Sequence, residues 1–175
     1  SSDYLKYRKE LGPDYKGYKV EIYEPTFRLN LFAPIDMMNL VIPYMIKQKS
    51  GGLIVNISSV NAVFPIEIPA YSSSKAALES ITRNYARAYA KYGIRINAIR
   101  PGSTLTEGTL KEITDNPKYK KMALSMSPTN RFVMPEEIAK TVLFLAENDA
   151  VVGETITVDN GFSLDTPYFR SGEKK

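Results

Sequence analysis

Cysteine and histidine are both absent from this chain. Without cysteine there is no disulfide, thiol nucleophile or thiolate-ligated metal, and without histidine there is no imidazole base or imidazole ligand. Acid–base chemistry therefore falls to tyrosine, lysine, aspartate or glutamate, and no metal site is expected. Long apolar runs are missing too: Leu53–Ile57 and Val142–Leu145 are far shorter than the roughly 20 residues that cross a bilayer. No charged-then-apolar leader opens the sequence, so a cytoplasmic protein with no membrane partner is expected.

The 175 residues, 43% of them hydrophobic, suffice for one globular domain with a sizeable core. A net charge of +4 raises the question of a nucleic-acid partner. The basic residues are spread along the chain, and the clusters at residues 6–9 and 118–121 are too short for a binding stripe, so a solvated surface is the expectation.

Residues 1–24 show neither helical nor strand period and are left unassigned. From Pro25 to about Lys47, Leu29, Phe32, Met37, Leu40, Val41 and Met45 recur at helical spacing, with Pro34 and Pro43 expected to kink or interrupt the helix. Gly51-Gly52 leads into the apolar run at residues 53–58, the kind of strand buried in parallel sheets. A second helix is predicted over residues 70–92, ending near Gly93, and a second strand over 94–99, closed by Pro101-Gly102. Residues 103–131 read as a mobile loop with a short helix inside it, Pro135 opens a last helix, and residues 154–158 form a last strand. This alternation predicts an α/β fold, an open parallel sheet with helices on both faces and a crevice beyond the strand carboxyl ends, near Ser58-Ser59 and Pro101-Gly102.

Tyr71 and Lys75 stand four apart at the start of the second helix and so share one face. The spacing alone says little, since Tyr15 and Lys19 repeat it around Gly17. Context separates the pairs: only Tyr71 and Lys75 lie where two strand ends converge. A free tyrosine has a pKa of about 10, and a neighbouring ammonium favours its phenolate, as proton transfer near neutrality requires. Asn56-Ile57-Ser58 spells a glycosylation sequon, discounted because it falls in a predicted buried strand.

Three motifs in order, Asn56-Ile57-Ser58-Ser59, Tyr71-Ser72-Ser73-Ser74-Lys75 and Asn97-Ala98-Ile99-Arg100-Pro101-Gly102, resemble those of the short-chain dehydrogenase/reductase family. Asn30 in the first helix is similar to that family's helix asparagine, and the resemblance covers roughly residues 25–165. It implies a Rossmann-like doubly wound parallel sheet, present only in part, with residues 25–175 as the catalytic portion and 103–131 as the substrate loop. It also implies an oxidoreductase that uses NAD or NADP to interconvert a small-molecule secondary alcohol, a sugar among the candidates, and its carbonyl. A homo-oligomer, tetramer or dimer, would join through the two long helices.

By the same resemblance Tyr71 is the acid/base, and Lys75 lowers its pKa and donates to the nicotinamide ribose hydroxyls. Ser59 donates to the substrate oxygen, and Asn30 holds a water that relays protons towards Lys75. Pro101, Gly102, Thr104 and Thr106 border the nicotinamide, with Thr104 in place of a usual aliphatic residue. Ser58 is the rival serine: it stands 13 residues before Tyr71, a common family separation, against 12 for Ser59. Asn160 replaces a usual glycine in Val158-Asp159-Asn160-Gly161.

The family's Gly-rich phosphate turn and its ribose-selecting residue are not found in the sequence, so the chain is expected to be the C-terminal part of a longer enzyme, with an open sheet edge. The same gap keeps an alternative open, a non-catalytic oligomerisation or regulatory protein on a decayed dehydrogenase scaffold. Retention of Asn30, Ser59, Tyr71 and Lys75 together speaks against it.

Overall fold

The computed structural model describes residues 19–64 and 68–164, so the basic cluster at residues 6–9 and Tyr15 lie outside the described residues. The chain opens with α1, a continuous helical run over Val20–Gln48, followed by β1, Gly52–Ile57. A 3-10 turn at Val60–Ala62 precedes α2, Pro69–Tyr89, and β2 is Ile94–Pro101. Three helices follow, α3 at Glu107–Asp115, α4 at Pro117–Ser125 and α5 at Pro135–Glu147, and β3 is Thr155–Val158.

The strands form a parallel sheet in the order β1-β2-β3, with Gly52 opposite Ile94, Ile57 opposite Ile99, and Ala98 opposite Thr155. Parallel neighbours need a crossover between them, which α2 supplies for the first pair and α3 to α5 for the second. Side chains alternate across central β2. Ile94 and Ile96 pack with Met38 and Ile42 of α1 and Ala86 of α2. Arg95 and Asn97 face the other way: Arg95 donates to backbone carbonyls at Ala146 and Asn148, at the end of α5. Helices therefore cover both faces, as the run of apolar residues in β2 requires.

Asn97, fully buried, donates to Val151 O at 2.9 Å and accepts from Glu154 N at 2.9 Å. One side chain thus satisfies two backbone groups where the chain enters β3, which accounts for an amide inside an apolar strand. Asn56 is buried with its Nδ2 donating to Thr82 Oγ1 at 2.9 Å, and this packing keeps the sequon inside the fold.

Several expectations are corrected. Helical structure starts at Val20, before Pro25, so α1 crosses the expected boundary after residue 24. Pro43 sits inside α1 without ending it. The disturbance near Pro34 takes the form of a π-helical turn over Arg28–Phe32, in which the Ala33 amide reaches back to Arg28 O. Proline has no N–H for the usual backbone ladder, and the wider turn adjusts the helix just ahead of it. The segment 103–131 holds two helices, α3 and α4, packed round their own cluster of Ile113, Ala123 and Phe132.

By length and composition α1 is also long and apolar enough to cross a membrane. Leu31, Met38 and Ile42 are buried in the fold, while Leu29, Met37, Leu40 and Tyr44 are about 70% exposed on a separate stripe.

Asn160 has φ of +55°, the left-handed region that glycine and asparagine tolerate best, so its replacement of glycine keeps the turn after β3. Its Nδ2 donates to Arg131 O at 3.2 Å. Arg131 in turn forms a two-pronged pair with Glu137 in the first turn of α5, both contacts at 2.8 Å, and the Met134 amide donates to the same carboxylate.

Hydrogen bonds from Arg131, with that of the Met134 amide, hold the Glu137 carboxyl at about 2, down from 4.5. The folded state thus binds this proton more weakly than the unfolded chain does. The resulting stabilisation is complete above about pH 4.5 and is lost as pH falls towards about 2. Glu137→Gln is expected to lose less stability than the parent across this window. Denaturant midpoints at the two pH extremes, in low salt, check it; an equal acid loss in both proteins contradicts it.

Candidate active site

The site is built at the carboxyl ends of the three strands. The backbone runs on in register there: Ser58 N donates to Ile99 O at 2.7 Å and Gly102 N to Val158 O at 2.9 Å. Gly102 is needed for close approach, since a Cβ would lie 2.8 Å from Asp159 Cα. Asp159 spans the next turn, accepting from Gly161 N and Ser163 N at 2.9 and 2.8 Å. Phe64, beyond β1, meets Phe162, beyond β3, edge to face at 5.1 Å, so the segments past the two outer strands close on one another.

Tyr71 and Lys75 emerge from the first turns of α2, where Pro69 suits the opening turn because its missing N–H is not needed there. Lys75 Nζ lies 5.8 Å from the centre of the Tyr71 ring and donates to Ile57 O at 2.8 Å. Burial pushes the Lys75 ammonium below the usual lysine value, because desolvation disfavours its charged form.

Asn30 reaches the same helix from α1. Its Nδ2 donates to Ser74 Oγ at 3.1 Å, and Ser74 Oγ donates to Tyr71 O at 2.7 Å. The π-helical turn carries Asn30, and Ser74, fully buried between Tyr71 and Lys75, is the intermediary. The sequence reading did not single out Ser74; its place directly before Lys75 was the available signal.

The two serines have different surroundings. Ser58 Oγ donates to Glu79 Oε1 at 2.6 Å in the interior of α2. Ser59 Oγ accepts from Asn61 N at 3.2 Å and caps the 3-10 turn, which packs against α2. Among the described residues the Ser59 hydroxyl hydrogen has no acceptor.

Thr104 Oγ1 donates to Gly102 O at 3.0 Å, in a short parallel bridge with Val133. Thr106 is exposed and caps α3, accepting from Thr109 N at 3.2 Å. These contacts place both threonines directly after the Pro101-Gly102 turn, as their spacing requires, with Thr106 committed to a helix cap. Glu79 and Arg100 were also missed. Arg100 Nε and NH2 grip the Glu79 carboxylate at 2.9 and 2.6 Å, and Arg100 NH1 donates to Thr157 Oγ1 at 3.1 Å. A carboxylate one turn beyond Lys75, on the face that packs onto the sheet, was the signal.

A cleft of about 740 Å³ opens at the opposite, amino end of the strands, lined among others by Lys49, Lys91, Arg95 and Asp149, and contains none of the predicted site residues.

The family described as enoyl-(acyl carrier protein) reductase matches residues 7–163, reaching upstream of Pro25. The chain belongs to the short-chain dehydrogenase/reductase family. Within it, the chain is 39% identical over 166 residues to a 7alpha-hydroxysteroid dehydrogenase of Paraclostridium sordellii, covering 93% of this chain and 61% of that protein. It is 37% identical over 150 residues to a 3-oxoacyl-(acyl-carrier-protein) reductase of Thermotoga maritima, covering 83% and 59%. The fold superimposes on 4-hydroxyisoleucine dehydrogenase complexed with NADH with a TM-score of 0.79 and 28% identity, over 85% of this chain and 62% of the other. This short-chain dehydrogenase/reductase chain thus spans about three fifths of the length of these relatives, and its sheet is the Rossmann-like parallel sheet that the motifs imply.

Proposed function

We propose that this protein is an oxidoreductase that uses NAD or NADP to interconvert a secondary alcohol and its carbonyl. The observation that carries the reading is the placement of Tyr71 and Lys75 one helical turn apart at the strand carboxyl ends, with Lys75 Nζ 5.8 Å from the Tyr71 ring. Relatives named as a hydroxysteroid dehydrogenase and a 3-oxoacyl reductase support it, since each name describes a change at a secondary alcohol or its ketone.

The residues fit a nicotinamide nucleoside. Lys75 Nζ makes one hydrogen bond, to Ile57 O, and so keeps hydrogens to donate to ribose hydroxyls. Gly102 leaves the rim of the crevice without a side chain beside Pro101, Thr104 and Thr106. When bound, the dinucleotide supplies or accepts the hydride. Tyr71 holds the proton: in reduction its hydroxyl protonates the carbonyl oxygen, and in oxidation its oxygen removes the alcohol proton. Ser59 donates its free hydroxyl hydrogen to the substrate oxygen, where negative charge develops. Asn30, through Ser74, fixes the first turns of α2 and orders the route by which Lys75 exchanges protons with solvent.

The exposed apolar stripe of α1, Leu29, Met37, Leu40 and Tyr44, supports association of copies through this helix. The direct test titrates the whole protein with NADH and NADPH by calorimetry. Oxidation of the bound dinucleotide is then followed with a steroid ketone, a 3-oxoacyl thioester and a ketose. Binding of one dinucleotide and its oxidation by at least one carbonyl is expected. A folded protein that binds neither overturns the reading in favour of a non-catalytic scaffold.

A further inference from the structure

Beyond the Asn56–Thr82 bond, two further side-chain bonds one turn apart tie the end of β1 to α2, and Ser58 Oγ also lies 3.5 Å from Lys75 O. Lys75 Nζ donates to Ile57 O at 2.8 Å, and Ser58 Oγ donates to Glu79 Oε1 at 2.6 Å. Tyr71, Lys75 and Glu79 follow one another at four-residue steps and so form a row along one face of the helix. The two ties differ in permanence. The first uses the ammonium assigned above to the ribose hydroxyls, so its donors are shared between Ile57 and a bound dinucleotide.

The second tie is not shared in this way. Glu79 is buried, and Arg100 holds its carboxylate with two hydrogen bonds while itself donating to Thr157 on β3. A carboxylate suits the position because its two oxygens accept three donors at once, Ser58 Oγ and two guanidinium N–H groups. A neutral glutamine has a single acceptor oxygen.

We propose that Glu79, gripped by Arg100, is a positioning residue that holds Ser58, and with it the adjacent Ser59, in register with Tyr71 while Lys75 divides its donors between Ile57 and the cofactor. The proposal rests on the assignment of Tyr71, Lys75 and Ser59 above. It predicts a loss in the chemical step with little change in cofactor affinity, because displacing a reacting group by about 1 Å can cost on the order of a hundredfold in rate.

In the whole protein, Glu79→Gln is expected to lower kcat by about tenfold or more with cofactor KM within about threefold of the parent. Ser58→Ala removes the same tie by deleting one hydroxyl and leaves the ion pair in place. It should reproduce the loss, and the double variant should fall no further than the worse single. Parent-like kcat in a folded Glu79→Gln protein, or losses that multiply, overturns the proposal.

A second measurement needs no turnover. In a Lys75→Met background, which lacks the first tie, adding Glu79→Gln should speed amide hydrogen exchange at residues 58–61 by about tenfold or more while the rest of α2 is unchanged. Equal exchange overturns the proposal whatever the activity. A parent protein that turns over no carbonyl defeats the functional reading alone.

Discussion

Tyr71→Phe is expected to lower kcat by about 10²- to 10⁴-fold while dinucleotide affinity stays within a few-fold of the parent. The substitution is clean because of how Tyr71 is held. Ser74 donates to the Tyr71 backbone carbonyl, which phenylalanine retains, and the ring beside Lys75 keeps its shape and position. Only the hydroxyl, the group to which the proposed reaction assigns the proton, is removed. Parallel measurement of kcat and of calorimetric affinity separates chemistry from binding. Undiminished turnover in the phenylalanine variant would exclude Tyr71 as acid/base and leave Lys75 or a carboxylate to move the proton, because the chain has no histidine or cysteine.

The second large effect is on stability. Arg100→Met removes both guanidinium contacts from Glu79, whose side chain is only 5% exposed, and leaves Ser58 as its one remaining donor. A buried carboxylate deprived of its counter-charge costs about 3–5 kcal/mol, against the 5–15 kcal/mol that holds a typical domain folded. The paired variant Glu79→Gln/Arg100→Met removes the charge along with its partner and is expected to regain most of the loss. Denaturant midpoints for the two variants and the parent make the comparison. A single variant no less stable than the pair would mean that the unpaired Glu79 carboxylate carries no penalty in the folded state.

These expectations rest on contacts that differ in how far the sequence announces them. Tyr71, Lys75 and Asn30 stand out in the sequence because they fall in ordered motifs at local spacing. The strands were legible within a residue or two because short β-branched runs between glycines and prolines have few other conformations open to them. Residues 103–131 read as a loop holding one short helix because α3 and α4 are short and polar outside. Their helical state depends on Ile113, Ala123 and Phe132 meeting across the segment, a contact that no local pattern encodes. Pro43 does not end the helix for a related reason: it is exposed on a helix whose opposite face is buried by Met38 and Ile42, and that packing keeps the helix continuous through the proline.

Ser58 and Ser59 make the division sharpest. Adjacent residues of one type on one strand end have the same propensity and almost the same distance to Tyr71, so no count along the chain separates them. Their side chains project differently, and the fold places Glu79, itself held by Arg100 from the neighbouring strand, where it meets Ser58 alone.

The sequence by itself determined the helix and strand order, the parallel sheet, the family and the residue types available for proton transfer, since these follow from periodicity, from local motifs and from the absence of histidine and cysteine. Only the tertiary structure decided that Ser58 bonds Glu79 while Ser59 caps the following turn, how Asn30 reaches α2 through Ser74, and that Glu79 and Arg100 are buried as a pair. Those outcomes depend on side chains far apart in the chain being brought within hydrogen-bonding distance, where burial makes each partner obligatory.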